Sequence, residues 1–552
     1  MKSQRKNRGS LGPILLILLL VAVSVLAVNQ YRFGVWDHTV ILPLFQHRIN
    51  PASYAGDYLL QVSSGYHTIL WPALASLIGA SRLGVPAVFF AAYCLVLAAS
   101  FLGVYALSLT FFSDRRAALL ACFLFLFSKR LCGGSFSLDE ILYTRMAAFP
   151  VLIFALVAFF RDRPIPAGFL FGLGFLLHPL SAVGFIVCAA AGALADPGRV
   201  PRGRLLLGGL LTVVLSLPLL RRQAAASGFF QGASPDWLAI VRLRSAHHAF
   251  PLSWEPEAYF ELILLLVVFA YAWRYAPTGI TARRIRGMLW GALVLSLAGM
   301  IFTEIIPLRL AVQLQLFRVY KVIYLLGLVL FSRAFVRMVE ESDSPTSFLA
   351  APLLSLGFLY GSNRWREGVF LLLILAVWLH FRARSGAFKN WAGSILAASL
   401  LLGVYAYDGE GWDFSINTAQ PPHWQAVQNW AREHTGPQDI FVVPPTWAHE
   451  GFRLGSGRKI YGNWKDGTMA NWDPDFGREW LRRMRRLGLN DPEEFEADFR
   501  RLSELDFLAL AADLKPPGGA VYLVYFADGD TLGLPPVYRN PRYVVYRLDV
   551  EP

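Results

Sequence analysis

The chain has 552 residues, of which 55% are hydrophobic and 16% charged, and its mean hydropathy is +0.45. A soluble globular chain carries roughly a quarter charged residues, so ordinary soluble, disordered, collagen-like and disulfide-scaffold classes are excluded. The net charge of +13 is unevenly split: residues from Asp408 onward hold 22 acids and 16 bases, the first 407 hold 16 acids and 35 bases. Basic loops between apolar spans follow from the positive-inside rule, and with no separate basic domain a nucleic-acid partner is excluded.

Lys2, Arg5, Lys6 and Arg8 precede the apolar run Leu11–Val28. No small-residue cleavage site ends that run, which predicts an uncleaved first helix with a cytoplasmic N-terminus. The first outer loop, 29–84, carries Asp37 and His38 and then Gly56-Asp57. A carboxylate nine residues past Val28 sits at the membrane surface. There it can act as general base on a sugar hydroxyl. Asp37 equally suits the N-cap of a following helix, and Asp57 a simple turn.

Further spans are predicted near 85–112, 117–128, 146–160, 165–177, 179–194, 205–220, 260–274, 288–306, 321–338, 348–360, 368–381 and 391–407. The total of about thirteen is odd, which places the tail opposite the N-terminus. Several spans are short. Residues 117–128 rise about 18 Å against a hydrocarbon core of about 30 Å, a length tolerated inside protein or beside a wet cavity. His178-Pro179 predicts a break between 165–177 and 179–194.

The second outer loop, 129–145, holds Asp139-Glu140. Adjacent carboxylates can bind a divalent cation such as magnesium or manganese, or start the next helix. The third outer loop is 221–259. All the histidines except His380 fall on the outer side, and none has the spacing of a strong metal motif. His178 can support chemistry or bond a free carbonyl in its turn. The four cysteines match no zinc or redox pattern. Where the ninth span exits, Arg309, Arg318 and Lys321 stand together, and a continuous helix would put both arginines on a similar face. Arginine here opposes the positive-inside trend. It can fork onto a phosphate or snorkel to headgroups. Arg145, Arg242 and Arg244 repeat the pattern more weakly.

In the tail, His423–His434, Phe476–Leu487 and Glu493–Leu502 are predicted helices. Asp439–Val443, Arg453–Tyr461, Phe507–Leu510, Val521–Phe526 and Tyr543–Leu548 are predicted strands. The fold class is therefore mainly α: a polytopic transmembrane helical bundle (1–407) with a C-terminal soluble α/β domain (408–552). The seven tail tryptophans suit a small core or an interface.

Asp37 behind the first span, Asp139-Glu140 in the second outer loop, the short spans and the helix–turn–strand His423–Val443 together resemble integral-membrane glycosyltransferases of the GT-C superfamily. No Asp-x-Asp stands in the first 407 residues, and the Trp-Trp-Asp of oligosaccharyltransferases is absent from the sequence. The resemblance implies a protein of the bacterial cytoplasmic (inner) membrane with an extracytoplasmic C-terminal domain. It would move a sugar from a polyprenyl-phosphate donor to a glycan, lipid or protein acceptor. Asp37 would be the catalytic base, supported by Asp57, His38 and His178. Arg309, Arg318 and Lys321 would hold the lipid phosphate, and Asp139 and Glu140 a divalent cation, with no cofactor certain. A membrane transporter and a non-catalytic envelope scaffold are the alternatives.

Overall fold

The computed structural model describes residues 11–62, 68–198, 200–227, 231–341, 414–418, 420–514, 518–528 and 532–548. The expected spans 348–360, 368–381 and 391–407, His67, His380 and the expected domain join at 407–408 lie outside them. The bundle opens with α1 (Leu11–Val23), β1 (Arg32–Phe33), α2 (His38–Ile49), α3 (Leu70–Ser81), α4 (Val85–Phe112) and α5 (Arg115–Phe125). The hairpin β2 (Arg130–Leu131) and β3 (Ser135–Phe136) leads to α6 (Thr144–Phe160), α7 (Pro164–Leu177) and α8 (Pro179–Leu194). Then come α9 (Arg202–Ser227), α10 (Pro235–Ala249), α11 (Pro256–Ala272), α12 (Gly279–Met300), α13 (Arg309–Leu314) and α14 (Tyr320–Glu341).

Among the described residues, five segments are long and apolar enough to cross a membrane: Val85–Phe112, Arg202–Arg222, Pro256–Tyr275, Gly279–Ile305 and Arg309–Met338. This is a multi-pass membrane protein. The ten segments expected as spans within the described residues are all helical, and the loops 29–84, 129–145 and 221–259 hold structure of their own: α2 and α3, the β2–β3 hairpin, and α10. In the apolar stretch of Arg309–Met338 89% of the residues are buried, and in that of Arg202–Arg222 only 11%. A helix apolar all round and buried belongs at the centre of a bundle, and α14 packs Leu325, Leu326, Leu328 and Phe331 there without exposure.

Small residues let the helices approach. A Cβ on Gly168 of α7 would lie 2.0 Å from the Gly208 oxygen of α9, and Thr212 Oγ1 donates across to Gly168 O at 3.0 Å. Small residues at helix contacts are how apolar helices associate without a hydrophobic driving force. Gly168→Ala is expected to push α7 and α9 apart at a cost of about 1–3 kcal/mol. Thermal unfolding in detergent measures it; an unchanged midpoint would contradict the close crossing.

One end of the bundle is tied by charge. Arg284 bonds Asp162 at 2.7 Å and lies 3.3 Å from Asp196, Arg283 bonds Asp196 at 2.9 Å, and Arg333 pairs with Asp114. The loops that the charge pattern assigns to one side therefore meet. Arg145, at the start of α6, lies about 25 Å away along a 17-residue helix.

The C-terminal unit comprises β4 (Ser415–Thr418), α15 (Pro422–His434), β5 (Ile440–Val442), α16 (Phe452–Ser456), β6 (Lys459–Ile460) and α17 (Pro474–Arg486). It continues with α18 (Phe495–Arg500), α19 (Glu504–Leu514), β7 (Val521–Phe526), β8 (Pro536–Arg539) and β9 (Tyr543–Leu548). Its sheet runs β6-β5-β7-β9-β8, parallel on the β6–β5–β7 side and antiparallel from β7 onward. The expected strand Phe507–Leu510 is instead part of α19, where Phe507, Leu510 and Ala511 fall at helical spacing and are buried. The first part of the expected strand Arg453–Tyr461 is instead α16, ended by Gly457 at φ +69°, and only Lys459–Ile460 forms a strand.

The two units share a core: Val40, Tyr58, Leu59 and Ile240 pack with Trp424, Phe441, Trp464 and Trp480. β4 pairs parallel to β1, and Thr418 comes so near Gly34, at φ +81°, that a Cβ there would lie 2.8 Å from its hydroxyl. The 3-10 helix Trp464–Asn471 is gripped from the bundle side. Arg244 Nε donates to Trp464 O (3.0 Å), Trp237 Nε1 to Ala470 O (2.7 Å) and Gln313 Nε2 to Asn471 O (3.1 Å).

Candidate functional site

Asp37 occupies the N-cap position of α2, but its side chain makes no capping hydrogen bond. Its Oδ1 lies 2.8 Å from Lys465 Nζ and its Oδ2 3.9 Å from Arg145. A residue type favoured for capping thus turns its carboxylate away from the helix and toward two cations. Trp36 before it has φ +54° and is 46% exposed. A bulky residue in that region is strained, a feature that concentrates at functional sites. Burial would raise the Asp37 carboxyl, but Lys465, Arg145 and Arg244 outweigh it and hold it well below the usual carboxylate range.

Each cation is placed by its own element. The capping box between Asn463 and Asp466 sets the start of the 3-10 helix that carries Lys465. Arg145, in the first turn of α6, grips Asp139 through both carboxylate oxygens at 2.8 and 3.0 Å and sits 4.1 Å over the Tyr143 ring. Arg244 comes from α10, where the kink at Ser245 turns the next residues away, and it lies 5.0 Å from the ring of Trp447. Burial lowers its guanidinium to about 10, so it stays charged at neutral pH. Lys465 Nζ is also 5.0 Å from the exposed Trp447 ring.

The sequence-predicted residues divide. Arg318 and Lys321 join this cluster: Lys321 interacts with the charges of Asp139, Arg145 and Arg318, and its Nζ donates to Phe136 O at 3.1 Å. Arg318 Nε donates to Gln315 Oε1 at 2.7 Å. Arg309 does not join them. Gln315 sits in the left-handed region at φ +49°, breaking α13 from the following 3-10 turn, so the two arginines do not share a helix face. Arg309 instead lies 5.9 Å from the Trp237 ring and faces the charges of Asp473 and Asp475.

His38 is a brace beside Asp37. Gly34 N–H donates to its Nδ1 (3.2 Å), which leaves Nε2–H for Leu142 O (3.1 Å). Burial lowers its imidazole to about 4, against the Leu142 carbonyl and Asp37. It is therefore neutral at physiological pH. His178 Nδ1 accepts from Ser181 N–H at 3.1 Å, capping α8, while Arg318, Arg145 and Lys321 surround it electrostatically. Asp57 belongs to a second network: Arg453 bonds it at 2.8 and 3.0 Å and reaches Asp466 at 2.8 and 3.1 Å, and Tyr58 Oη donates to Asp466 at 2.6 Å. That network holds the residue next to Lys465 rather than meeting Asp37.

The donor set does not fit a divalent cation. Both Asp139 oxygens are taken by Arg145, and Glu140 faces Arg32 at 3.9 Å. Among the described residues no three His, Cys, Asp or Glu side chains are placed to hold a metal.

Two members of the cluster gave no sequence signal of function. Lys465 and Glu450 both lie in stretches for which the sequence predicts no element. Glu450 is 8% exposed and interacts with Lys465, Arg244, Asp37 and Asp466. Among the described residues, five cations (Arg145, Arg244, Arg318, Lys321, Lys465) thus stand against four carboxylates (Asp37, Asp139, Glu450 and the Arg453-bound Asp466) in one electrostatic network.

Fold and site together define a multi-pass membrane protein with a cation-rich acid cluster where its bundle meets its C-terminal α/β unit. Residues 422–487 match the model of a domain of unknown function, DUF6798. No curated protein matches the chain in sequence. The fold is similar to the crystal structure of ArnT from Cupriavidus metallidurans in the apo state, at 13% identity and a TM-score of 0.48, covering 98% of this chain and 97% of that one. It is also similar to the Archaeoglobus fulgidus oligosaccharyltransferase in complex with Zn and sulfate, at 16% identity and a TM-score of 0.40, covering 82% of this chain and 62% of that one.

Proposed function

We propose that this protein is a membrane glycosyltransferase of the GT-C kind, moving a sugar from a polyprenyl-phosphate donor to an acceptor at the outer face of a bacterial cytoplasmic membrane. The observation that carries this reading is the Asp37 carboxylate, held 2.8 Å from Lys465 inside a cluster where cations outnumber acids. A departing lipid phosphate needs cations, and a sugar carbon with oxocarbenium character needs a nearby carboxylate. Arg318, Lys321 and Lys465 would bind the phosphate, and Asp37 would face the anomeric carbon and orient the acceptor hydroxyl. Arg244, Lys465 and Trp447 would frame the side toward the C-terminal unit.

Purified protein in liposomes with radiolabelled undecaprenyl-phosphate sugars tests the reading. Arg318→Gln removes one charge-assisted contact to phosphate, so KM for the donor is expected to rise about 10–100-fold. Arg309→Gln, outside the cluster, is expected to leave KM unchanged. Equal effects of the two, or sugar flux across the vesicle without transfer, would remove the proposal.

A further inference from the structure

Among the described residues, Glu450 is the acid of the cluster whose side chain makes no hydrogen bond. It lies between the 3-10 turn Trp447–His449 and Gly451, whose φ of +80° turns the chain into α16. Its backbone is fixed by Trp424 Nε1, which donates to Glu450 O at 3.2 Å. Its side chain is more than nine-tenths buried, and Oε1 has no hydrogen-bond partner among the described residues. A buried carboxylate oxygen without a donor costs free energy, and a strained site, a catalytic role or a bound water or ion is what lets a native structure retain one. The groups that face it are Lys465 and Asp466 from the 3-10 helix, Arg244 from α10 and Asp37 from the first outer loop.

The other carboxylates are occupied. Asp139 is gripped by Arg145 on both oxygens, and Asp37 is held by Lys465 and Arg145. A carboxylate stabilised as an anion by two cations is a poor proton acceptor, because what depresses its pKa weakens it as a base. His38 spends both ring nitrogens on backbone groups.

We infer that Glu450 is the catalytic base of this site, its carboxylate taking the proton from the acceptor hydroxyl while Asp37 stays ionised beside the sugar. The inference rests on the glycosyltransferase reading and divides its two acidic roles. The hydroxyl oxygen attacks the anomeric carbon and forms the new glycosidic C–O bond. The bond from that carbon to the donor phosphate oxygen breaks, its electron pair leaving with the polyprenyl phosphate. The hydroxyl proton goes to the Glu450 carboxylate and from there to solvent. Burial, opposed by Lys465 and Arg244, pushes the Glu450 carboxyl up to about 7, the range suited to a base at neutral pH.

Two measurements on the full-length protein in detergent test this. The first is the infrared carboxyl band of wild type minus Glu450→Gln followed against pH. A band lost with a midpoint near 7 supports the inference; one already lost below pH 5 overturns it. The second is transfer to acceptor from a panel of undecaprenyl-phosphate hexoses and pentoses. Wild-type kcat is expected to rise with pH to a plateau above about 7. Glu450→Gln is expected to lower kcat about 10²–10⁴-fold and abolish that rise, with donor KM within about threefold of wild type, and Glu450→Asp to restore part of the rate. If Glu450→Gln keeps kcat within tenfold and the same pH profile, Glu450 is not the base and the glycosyltransferase reading stands. If wild type transfers none of the sugars, that reading falls and the inference with it. Glu450→Asp covers the case in which the Gln variant fails to fold.

Discussion

Asp37→Asn is expected to lower kcat for sugar transfer about 10³-fold while the donor KM stays the same or falls. The split follows from charge. Asparagine keeps the shape of the side chain but leaves Lys465, 2.8 Å away, and Arg145, 3.9 Å away, without their anion. The cluster then becomes more positive, which favours a phosphate-bearing donor in the ground state. The developing positive charge on the sugar loses the carboxylate that faces it. A variant with wild-type kcat would sink the assignment of Asp37 to the reacting centre. Stability should respond to pH in a matching direction. Because the folded Asp37 pKa lies below its ordinary value of 3.8, its contribution is present above that value and lost as pH falls through the folded value. Asp37→Asn should therefore narrow the gap between neutral and acid unfolding temperatures.

Arg453→Met is expected to destabilise the C-terminal unit by about 3–5 kcal/mol, because it strands two buried carboxylates. Arg453 is 2% exposed, and Asp57 and Asp466 are fully buried. Tryptophan fluorescence during denaturation would report the loss, since Trp464 and Trp480 pack against each other in this core. Neutralising the stranded acids, in Arg453→Met with Asp57→Asn and Asp466→Asn, should recover much of it, because a buried ion network contributes little net stability over neutral groups. A loss below about 1 kcal/mol for the single variant would mean the network is not buried as described. Displacing Asp466 also moves Lys465, so transfer should fail in the single variant even where it remains folded.

The membrane part was legible because lipid imposes length. Leu11–Val28 and Val85–Phe112 need only be apolar and long enough, whatever their periodicity. The tail was read less evenly. Val521–Phe526 and Tyr543–Leu548 are β-branched and aromatic and form strands, whereas Phe507–Leu510 is too short an apolar run to separate strand from helix. The break at Gln315 carries no Gly, Pro or Asn, and overlooking it aligned Arg309 with Arg318. At the site, Asp37 stood out because a carboxylate close behind a membrane span is unusual. Lys465 and Glu450 did not, since what makes them notable is proximity to residues hundreds of positions away, which local pattern does not encode. Arg145 and Arg244 were visible as outward arginines, but their partners were not.

The join between the two units sets an order of events during biosynthesis. Asp37 is translated early and Lys465 late, and the supporting contact between Tyr58 and Asp466 spans 408 residues. A ribosome-bound chain with its bundle helices already inserted still lacks Glu450, Lys465 and Asp466 of the acid–cation cluster. The proposed transfer would begin only once the last-made segment has docked, so a truncated or stalled chain would occupy the membrane without carrying it out.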